Sequence, residues 1–123
     1  MNGFPPWREA LLVALGGGLG CTLRYTLVWY TTRLWPAFPL GTLLVNVVGC
    51  FCFGLLNGLT DDRMIRTAVG AGILGGFTTF SAFGGDTLSL AQSGQWRTAG
   101  IYVVANVIVG LLAVWLGRTV ATG

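Results

Sequence analysis

Length, composition and charge exclude most classes of protein. The chain has 123 residues, of which 54% are hydrophobic and 9% are charged, with a formal net charge of +3 and a mean hydropathy of +0.74. Soluble domains usually carry about 25% charged residues, so the chain is predicted to be a single integral membrane domain over residues 1–123. The seven basic residues are dispersed, which argues against a nucleic-acid-binding surface.

Four apolar segments predict four transmembrane helices, at residues 9–30, 39–59, 65–91 and 99–120. Each has the ~20 residues that are needed to cross ~30 Å of hydrocarbon. The short connections between them force neighbouring helices to pack antiparallel. The predicted fold class is an all-α integral membrane protein, and Thr60 and Asp61 are candidate N-caps of the third helix.

The first segment contains a glycine run and one arginine well inside it. Gly16 and Gly20 form a small-x-x-x-small pair, which favours close packing of helix backbones. Arg24 lies well inside the segment. Its side chain either extends back to the interface or places a positive charge at the mouth of an anion path.

The second and fourth segments each carry an asparagine near their middle. Thr42 lies one turn before Asn46, and Tyr102 lies one turn before Asn106. An amide at bilayer depth needs polar partners. Each asparagine therefore makes a helix–helix hydrogen bond or lines a pore, and position alone favours neither.

The third segment is predicted to be broken at mid-membrane, because glycines and hydroxyls interrupt it from Gly72 to Ser81. Phe80 and Phe83 share one helical face beside the hydroxyls of Thr79 and Ser81. The rings either pack in a core or meet an anion with their positive edges. A dry pore lined by neutral donors and ring edges favours a small anion over a cation.

Asp86 lies beyond these phenylalanines, where it is predicted to face a vestibule and to interact with Arg24 or with a mobile proton. An enzyme is not expected, because the chain has no histidine, no paired carboxylates at membrane depth and no nucleotide-binding loop after a strand.

The charges that flank the segments bear on orientation. An even number of spans would place Arg8, Arg63, Arg66 and Arg118 on one side of the membrane, and Arg33 and Arg97 on the other. This bias is weak, so we expect dual topology, in which the chain inserts in both orientations.

Three stretches together resemble the Fluc (CrcB) family of fluoride channels. They are Gly16–Cys21 with Arg24 and Tyr25, then Pro39–Asn46, then Gly75–Phe83. The likeness extends over nearly the whole chain, and the third stretch is the most specific.

The resemblance implies an antiparallel dual-topology homodimer with two fluoride pores in the cytoplasmic membrane, and a role in passive fluoride efflux. It implies that Asn46, Phe80 and Phe83 line the pore, and that the backbone carbonyls of Gly75 and Thr78 hold a structural sodium ion. Fluoride, sodium, membrane lipid and a second copy of the chain are the expected partners.

The sequence departs from the family pattern at Ala82, Gly110 and Val114, where hydroxyl residues are common, and Asn106 is a candidate to compensate. One alternative is a small dual-topology exporter of drugs or cations. It fits poorly, because the only acid of the first segment, Glu9, lies at its start. The other alternative is a membrane scaffold that transports nothing.

Overall fold

The computed structural model describes residues 6–123, which form helices joined by short turns. We number the helices α1 (Trp7–Leu34), α2 (Leu40–Leu59), α3 (residues 63–77), α4 (Phe80–Gln92) and α5 (Trp96–Thr122). No strand occurs between residues 6 and 123. Because α3 and α4 follow one another within Arg63–Gln92, the structure has four candidate membrane spans, long and apolar enough to cross a bilayer. The prediction of an all-helical chain with four candidate spans is confirmed.

The first residues of α3 are organised differently from the prediction. Asp62 is the N-cap, and its carboxylate accepts a hydrogen bond from the backbone N–H of Ile65 at 2.9 Å. Thr60 instead accepts the N–H of Asp62, and Asp61 pairs with the guanidinium of Arg66 at 2.8 Å. The prediction that Thr60 or Asp61 caps the helix is therefore wrong. The cap falls one residue later because α3 begins at Arg63.

Glycines bring two pairs of helices into backbone contact. In the pair α1 and α3, a Cβ on Gly20 would overlap the carbonyl oxygen of Ile73. In the pair α2 and α5, a Cβ on Gly54 would overlap the carbonyl oxygen of Val114. Close approach of this kind is how small residues hold membrane helices together, since apolar side chains gain little by leaving lipid.

Between α3 and α4 the chain leaves helical geometry for two residues. Thr78 has φ −88° and ψ 157°, and Thr79 has φ −151° and ψ 123°, so both are extended. The helix is also widened to π geometry over Arg66–Leu74 in α3 and over Ala105–Val109 in α5. Such widened turns are frequent at functional sites.

The buried core lies where α4 packs on the first half of α5. Its main cluster is formed by Phe83, Leu90, Ala99 and Tyr102, and Val45 of α2 is also fully buried. Many large apolar side chains elsewhere are exposed, as expected for helices that face lipid or a second copy.

Candidate functional site

Asn46 of α2 lies against the extended residues and pairs with their backbone. Its Oδ1 accepts the N–H of Thr79 at 2.8 Å, and its Nδ2 donates to the carbonyl of Thr79 at 3.1 Å. Leaving helical geometry deprives backbone groups of their partners, which is costly in apolar surroundings. The side-chain amide replaces both partners at one residue, much as a neighbouring strand would.

The side chain of Thr79 starts the next helix. Its Oγ1 accepts the N–H of Ala82 at 3.1 Å, so Thr79 is the N-cap of α4. The same hydroxyl lies 3.2 Å from the hydroxyl of Ser81. A helix N-terminus carries a partial positive charge and favours nearby anions. The cap therefore places hydroxyl groups and the positive end of α4 at one point.

Arg24 of α1 binds the backbone at the end of α3, just before the extended residues. Its Nε donates to the carbonyl of Gly76 at 3.0 Å, and one of its terminal nitrogens lies 3.7 Å from the sulfur of Cys21. Gly76 is in the last turn of α3, where helix carbonyls lack intrahelical partners. The cation is thus held at the helix C-terminus, where positive charge is favourable.

A chain of hydrogen bonds leads away from Asn46 into α5. Asn46 Nδ2 donates to Asn106 Oδ1 at 2.9 Å, and Asn106 Nδ2 donates to the carbonyl of Tyr102 at 3.0 Å. The Tyr102 hydroxyl donates to Asp86 Oδ2 at 2.9 Å. The sequence predicts that Asp86 interacts with Arg24 or with a mobile proton. Its side-chain partner in the described structure is Tyr102, and Arg24 bonds to the backbone of α3 instead.

Two clefts meet at Thr79. We call the first the phenylalanine cleft; it measures about 350 Å³ and is lined by Asn46, Cys50, Thr78, Thr79, Phe80, Phe83, Asn106, Val107, Gly110 and Leu111. The second, the arginine cleft, measures about 690 Å³, and its lining includes Arg24, Arg33, Thr42, Thr79 and Asp86. Thr79 borders both clefts and thus separates them.

The phenylalanines differ sharply in exposure. Phe80 is 82% exposed, whereas Phe83 is 9% exposed. Their ring centroids are 5.4 Å apart, with the planes inclined by 61° in an edge-on arrangement. Phe83 packs at 5.6 Å on the ring of Tyr102, so it is anchored in the core while Phe80 projects from the protomer. Phe80 therefore leaves most of its ring uncovered at the edge of the cleft, although it contacts Phe83.

The structure brings most of the predicted residues together and separates others. The phenylalanine cleft contains six of them, namely Asn46, Thr78, Thr79, Phe80, Phe83 and Asn106. Ser81 reaches this group only through its contact with Thr79. Tyr102 is fully buried behind Phe83, and Thr42, at 3% exposure, borders the arginine cleft with Arg24 and Asp86.

The cleft also has lining residues that sequence reasoning did not select. They are Cys50, Val107 and Leu111. Cys50 lies one helical turn after Asn46, so the i, i+4 spacing was a usable signal for it. Val107 and Leu111 carry no polar group that would single them out.

Gly75 and Thr78 line a second hollow of about 250 Å³ that adjoins the phenylalanine cleft at Cys50 and Thr78; its other lining residues include Gly49, Phe53 and Val114. In a continuous helix, the backbone N–H groups of Thr79 and Ala82 would bond to the carbonyls of Gly75 and Thr78, but here both N–H groups have other acceptors. The N–H of Thr79 bonds to Asn46 in place of Gly75, and the N–H of Ala82 bonds to Thr79 Oγ1 in place of Thr78. Between residues 6 and 123 there is no group of three histidine, cysteine or acidic side chains that could hold a metal.

Comparison with known proteins identifies the family. The family model described as "CrcB-like protein, Camphor Resistance (CrcB)" matches residues 11–118. A protein of Acidobacterium capsulatum named "Fluoride-specific ion channel FluC" is 47% identical over 116 residues, covering 89% of this chain and 93% of its own. Proteins of the same name from Rhizobium leguminosarum and Paracoccus denitrificans are 48% and 47% identical, covering 91% and 92% of this chain and 94% of their own lengths. The chain belongs to the CrcB family and is a multi-pass membrane protein.

Proposed function

We propose that this protein is a fluoride-selective channel that lets fluoride leave the cell passively across the cell membrane. Two kinds of observation support this function: relatives that cover most of the chain carry the name of fluoride-specific channels, and the phenylalanine cleft combines apolar walls with a few neutral donors. The observation that carries the proposal is the pair of hydrogen bonds between the Asn46 side chain and the Thr79 backbone. These bonds keep the residues next to Phe80 in the extended conformation.

The cleft suits a small anion for physical reasons. A selective pore must replace the water around an ion with closely placed groups of the protein. Amide N–H groups, hydroxyl groups and the positive edges of aromatic rings attract an anion without a fixed full charge that would hold it permanently. In this proposal the path is bordered by Asn46, Thr79, Ser81, Phe80, Phe83 and Asn106, while Thr42 and Tyr102 support it from behind. The arginine cleft, with Arg24 and Asp86, is its vestibule.

We further propose that the working unit is an antiparallel, dual-topology homodimer. The interruption at Thr78 and Thr79 then lies at membrane depth, where exposed backbone is tolerated only if protein, water or an ion covers it. The projecting ring of Phe80 gives a second reason, since a second copy would cover it and complete the wall of each path.

A structural sodium ion fits the same arrangement. The carbonyls of Gly75 and Thr78 have lost their helical amides, and hard cations prefer oxygen ligands. One protomer supplies two such carbonyls, and a two-fold axis would supply four. The ion would satisfy carbonyl groups that otherwise remain unpaired in apolar surroundings.

Fluoride efflux from liposomes tests the proposed function. Vesicles that contain the purified protein are loaded with potassium fluoride or potassium chloride, a potassium ionophore is added, and anion release is followed with an ion-selective electrode. We expect rapid release of fluoride and none of chloride, without an imposed proton gradient. Release that requires a proton gradient would support an exporter. A protein that releases neither anion would be a scaffold, and the channel proposal would then be wrong.

A further inference from the structure

One face of α5 carries an open groove outside both clefts. The groove measures about 580 Å³, and within residues 6–123 its walls come from α5 alone, from Trp96 to Val109. We call it the α5 groove. Its lining residues come as pairs of neighbours repeated every four residues, so they lie on one side of the helix. Asn106 and Gly110 lie on another side of α5 and line the phenylalanine cleft, so the two cavities are separate.

The α5 groove is apolar along most of its length and open to its surroundings. Ile101 and Val104 are each 59% exposed, and Ile108 is 50% exposed. Between these branched side chains lie two small residues, Gly100 and Ala105, which form the floor of the groove. A Cβ on Gly100 would meet no atom of another helix within 4 Å in the described part of the chain. An exposed apolar surface of this kind is covered by protein or by lipid.

The length of the α5 groove matches one leaflet of a bilayer. From Arg97 to Val109 the helix advances about 18 Å at 1.5 Å per residue. The hydrocarbon core of a membrane is about 30 Å thick, so one leaflet contributes about 15 Å. Trp96 is 72% exposed at the start of α5, and tryptophan is typical of the boundary between hydrocarbon and headgroups. An acyl chain in the groove would therefore begin beside Trp96 and end near the middle of the membrane.

Arg97 adds a positive charge at the headgroup end of the α5 groove. The side chain is exposed, and within residues 6–123 it forms no ion pair. Five other arginines of the described chain have an acid, a carbonyl, or a tryptophan ring as partner: Arg8, Arg24, Arg33, Arg63 and Arg66. Of the remaining two, Arg97 and Arg118, only Arg97 borders the groove. No acid lines the groove, so its charge is complementary to an anionic group.

We propose that the α5 groove binds an anionic phospholipid, with the lipid phosphate at Arg97 and one acyl chain over Gly100 and Ala105. A guanidinium group forms paired hydrogen bonds with phosphate oxygens, and a basic side chain near the membrane surface attracts anionic lipid. A second copy of the chain matches this surface less well. In a symmetric contact of groove against groove, no acid would lie beside Arg97.

Native mass spectrometry of the detergent-purified protein measures the bound lipid directly. The protein is incubated with equal amounts of phosphatidylglycerol and phosphatidylcholine that have the same acyl chains, and the retained lipids are counted. We expect about fivefold more phosphatidylglycerol than phosphatidylcholine, which is the preference that one basic residue near the surface provides. Phosphatidylglycerol should also raise the melting midpoint more than phosphatidylcholine does, because a ligand of the native state stabilises it.

Three variants test the two parts of the groove. Arg97→Gln removes the charge, so the ratio of the two retained lipids should fall to about one. Arg118→Gln makes the same change near the other end of α5, outside the groove, and should keep the wild-type ratio. Gly100→Leu fills the floor of the groove without meeting another helix of its own chain. This variant should keep the wild-type elution volume in size-exclusion chromatography and lose retention of both lipids.

Several results would overturn the proposal. Equal retention of both lipids by the wild type would mean that the groove holds bulk lipid without a headgroup preference. A wild-type ratio in Arg97→Gln, or an equal fall in Arg118→Gln, would mean that the preference does not arise at the groove. A changed assembly size in Gly100→Leu would mean that a second copy covers this face. None of these measurements depends on fluoride efflux, so their outcome is independent of the proposed function.

Discussion

Gly20→Ala tests whether the backbone contact between α1 and α3 determines the stability of this fold. A Cβ at Gly20 would overlap the carbonyl oxygen of Ile73 and lie 2.8 Å from the backbone nitrogen of Phe77. Both are backbone atoms, which cannot turn aside as the end of a side chain can. Inserting a methyl group into such a contact costs about 1–3 kcal/mol. Phe77 directly precedes the extended residues, so the strain would reach the candidate site.

Alanine also raises helix propensity by about 1 kcal/mol over glycine, so a matched control is needed. Gly18→Ala makes the same change in α1, at a position where, within residues 6–123, a Cβ would meet no atom of another helix within 4 Å. Gly100→Ala in α5 is equally open and serves as a second control. The difference between Gly20→Ala and these controls isolates the packing cost, which we expect to be about 1–3 kcal/mol.

The assay is thermal unfolding of the purified protein in detergent, followed by the loss of the native peak in size-exclusion chromatography. At about 4 °C per kcal/mol, the melting midpoint of Gly20→Ala should lie about 4–12 °C below those of the two controls. Fluoride efflux should fall as well, because loosening the contact between α1 and α3 would displace Phe77, which directly precedes the extended residues. Equal midpoints for all three variants would show that α1 and α3 separate without cost, and the reasoning from backbone contact would be wrong.

Three further predictions address the site. Asn46→Asp keeps an acceptor for Thr79 but replaces two N–H donors with a negative charge. We expect this variant to lose fluoride efflux while size-exclusion chromatography still shows the wild-type assembly. Unchanged efflux would contradict the assignment of Asn46 to the path. Phe80→Ile with Phe83→Ile removes both ring edges and should also abolish efflux without dissociating the assembly. Efflux within about twofold of the wild type would show that the ring edges do not contact the ion. Tyr102→Phe removes the hydroxyl that donates to the partly buried Asp86 and should lower the melting midpoint by about 2–6 °C, corresponding to about 0.5–1.5 kcal/mol for one lost hydrogen bond. An unchanged midpoint would mean that water replaces the hydroxyl.

Hydropathy predicted the four spans well, because hydrocarbon thickness dictates how long an apolar helix must be. Three of the four spans extend past the predicted ends by a few residues, as α1 does from Trp7 to Leu34 against a predicted 9–30, whereas α2 (Leu40–Leu59) stays within the predicted 39–59. Charged and aromatic residues at the ends continue the helix without adding to the apolar signal. The cap of the third span was misplaced by one residue for a similar reason: Thr60, Asp61 and Asp62 are all good N-caps, and only the position of the first turn selects among them.

The sequence by itself determined that this chain is a four-span helical membrane protein with amides, hydroxyls and paired phenylalanines at the depth of its apolar segments. Helical spacing also showed which of these groups share a face. Only the tertiary structure decided their partners: Asn46 and Asn106 are sixty residues apart along the chain, Tyr102 turns inward to Asp86, and Arg24 bonds to the backbone at Gly76. The periodicity of the sequence describes how residues are arranged around the axis of each single helix. Hydrogen bonds between helices depend instead on how far each helix is shifted and rotated against its neighbours. Glycine contacts between backbones that are distant in sequence set those shifts.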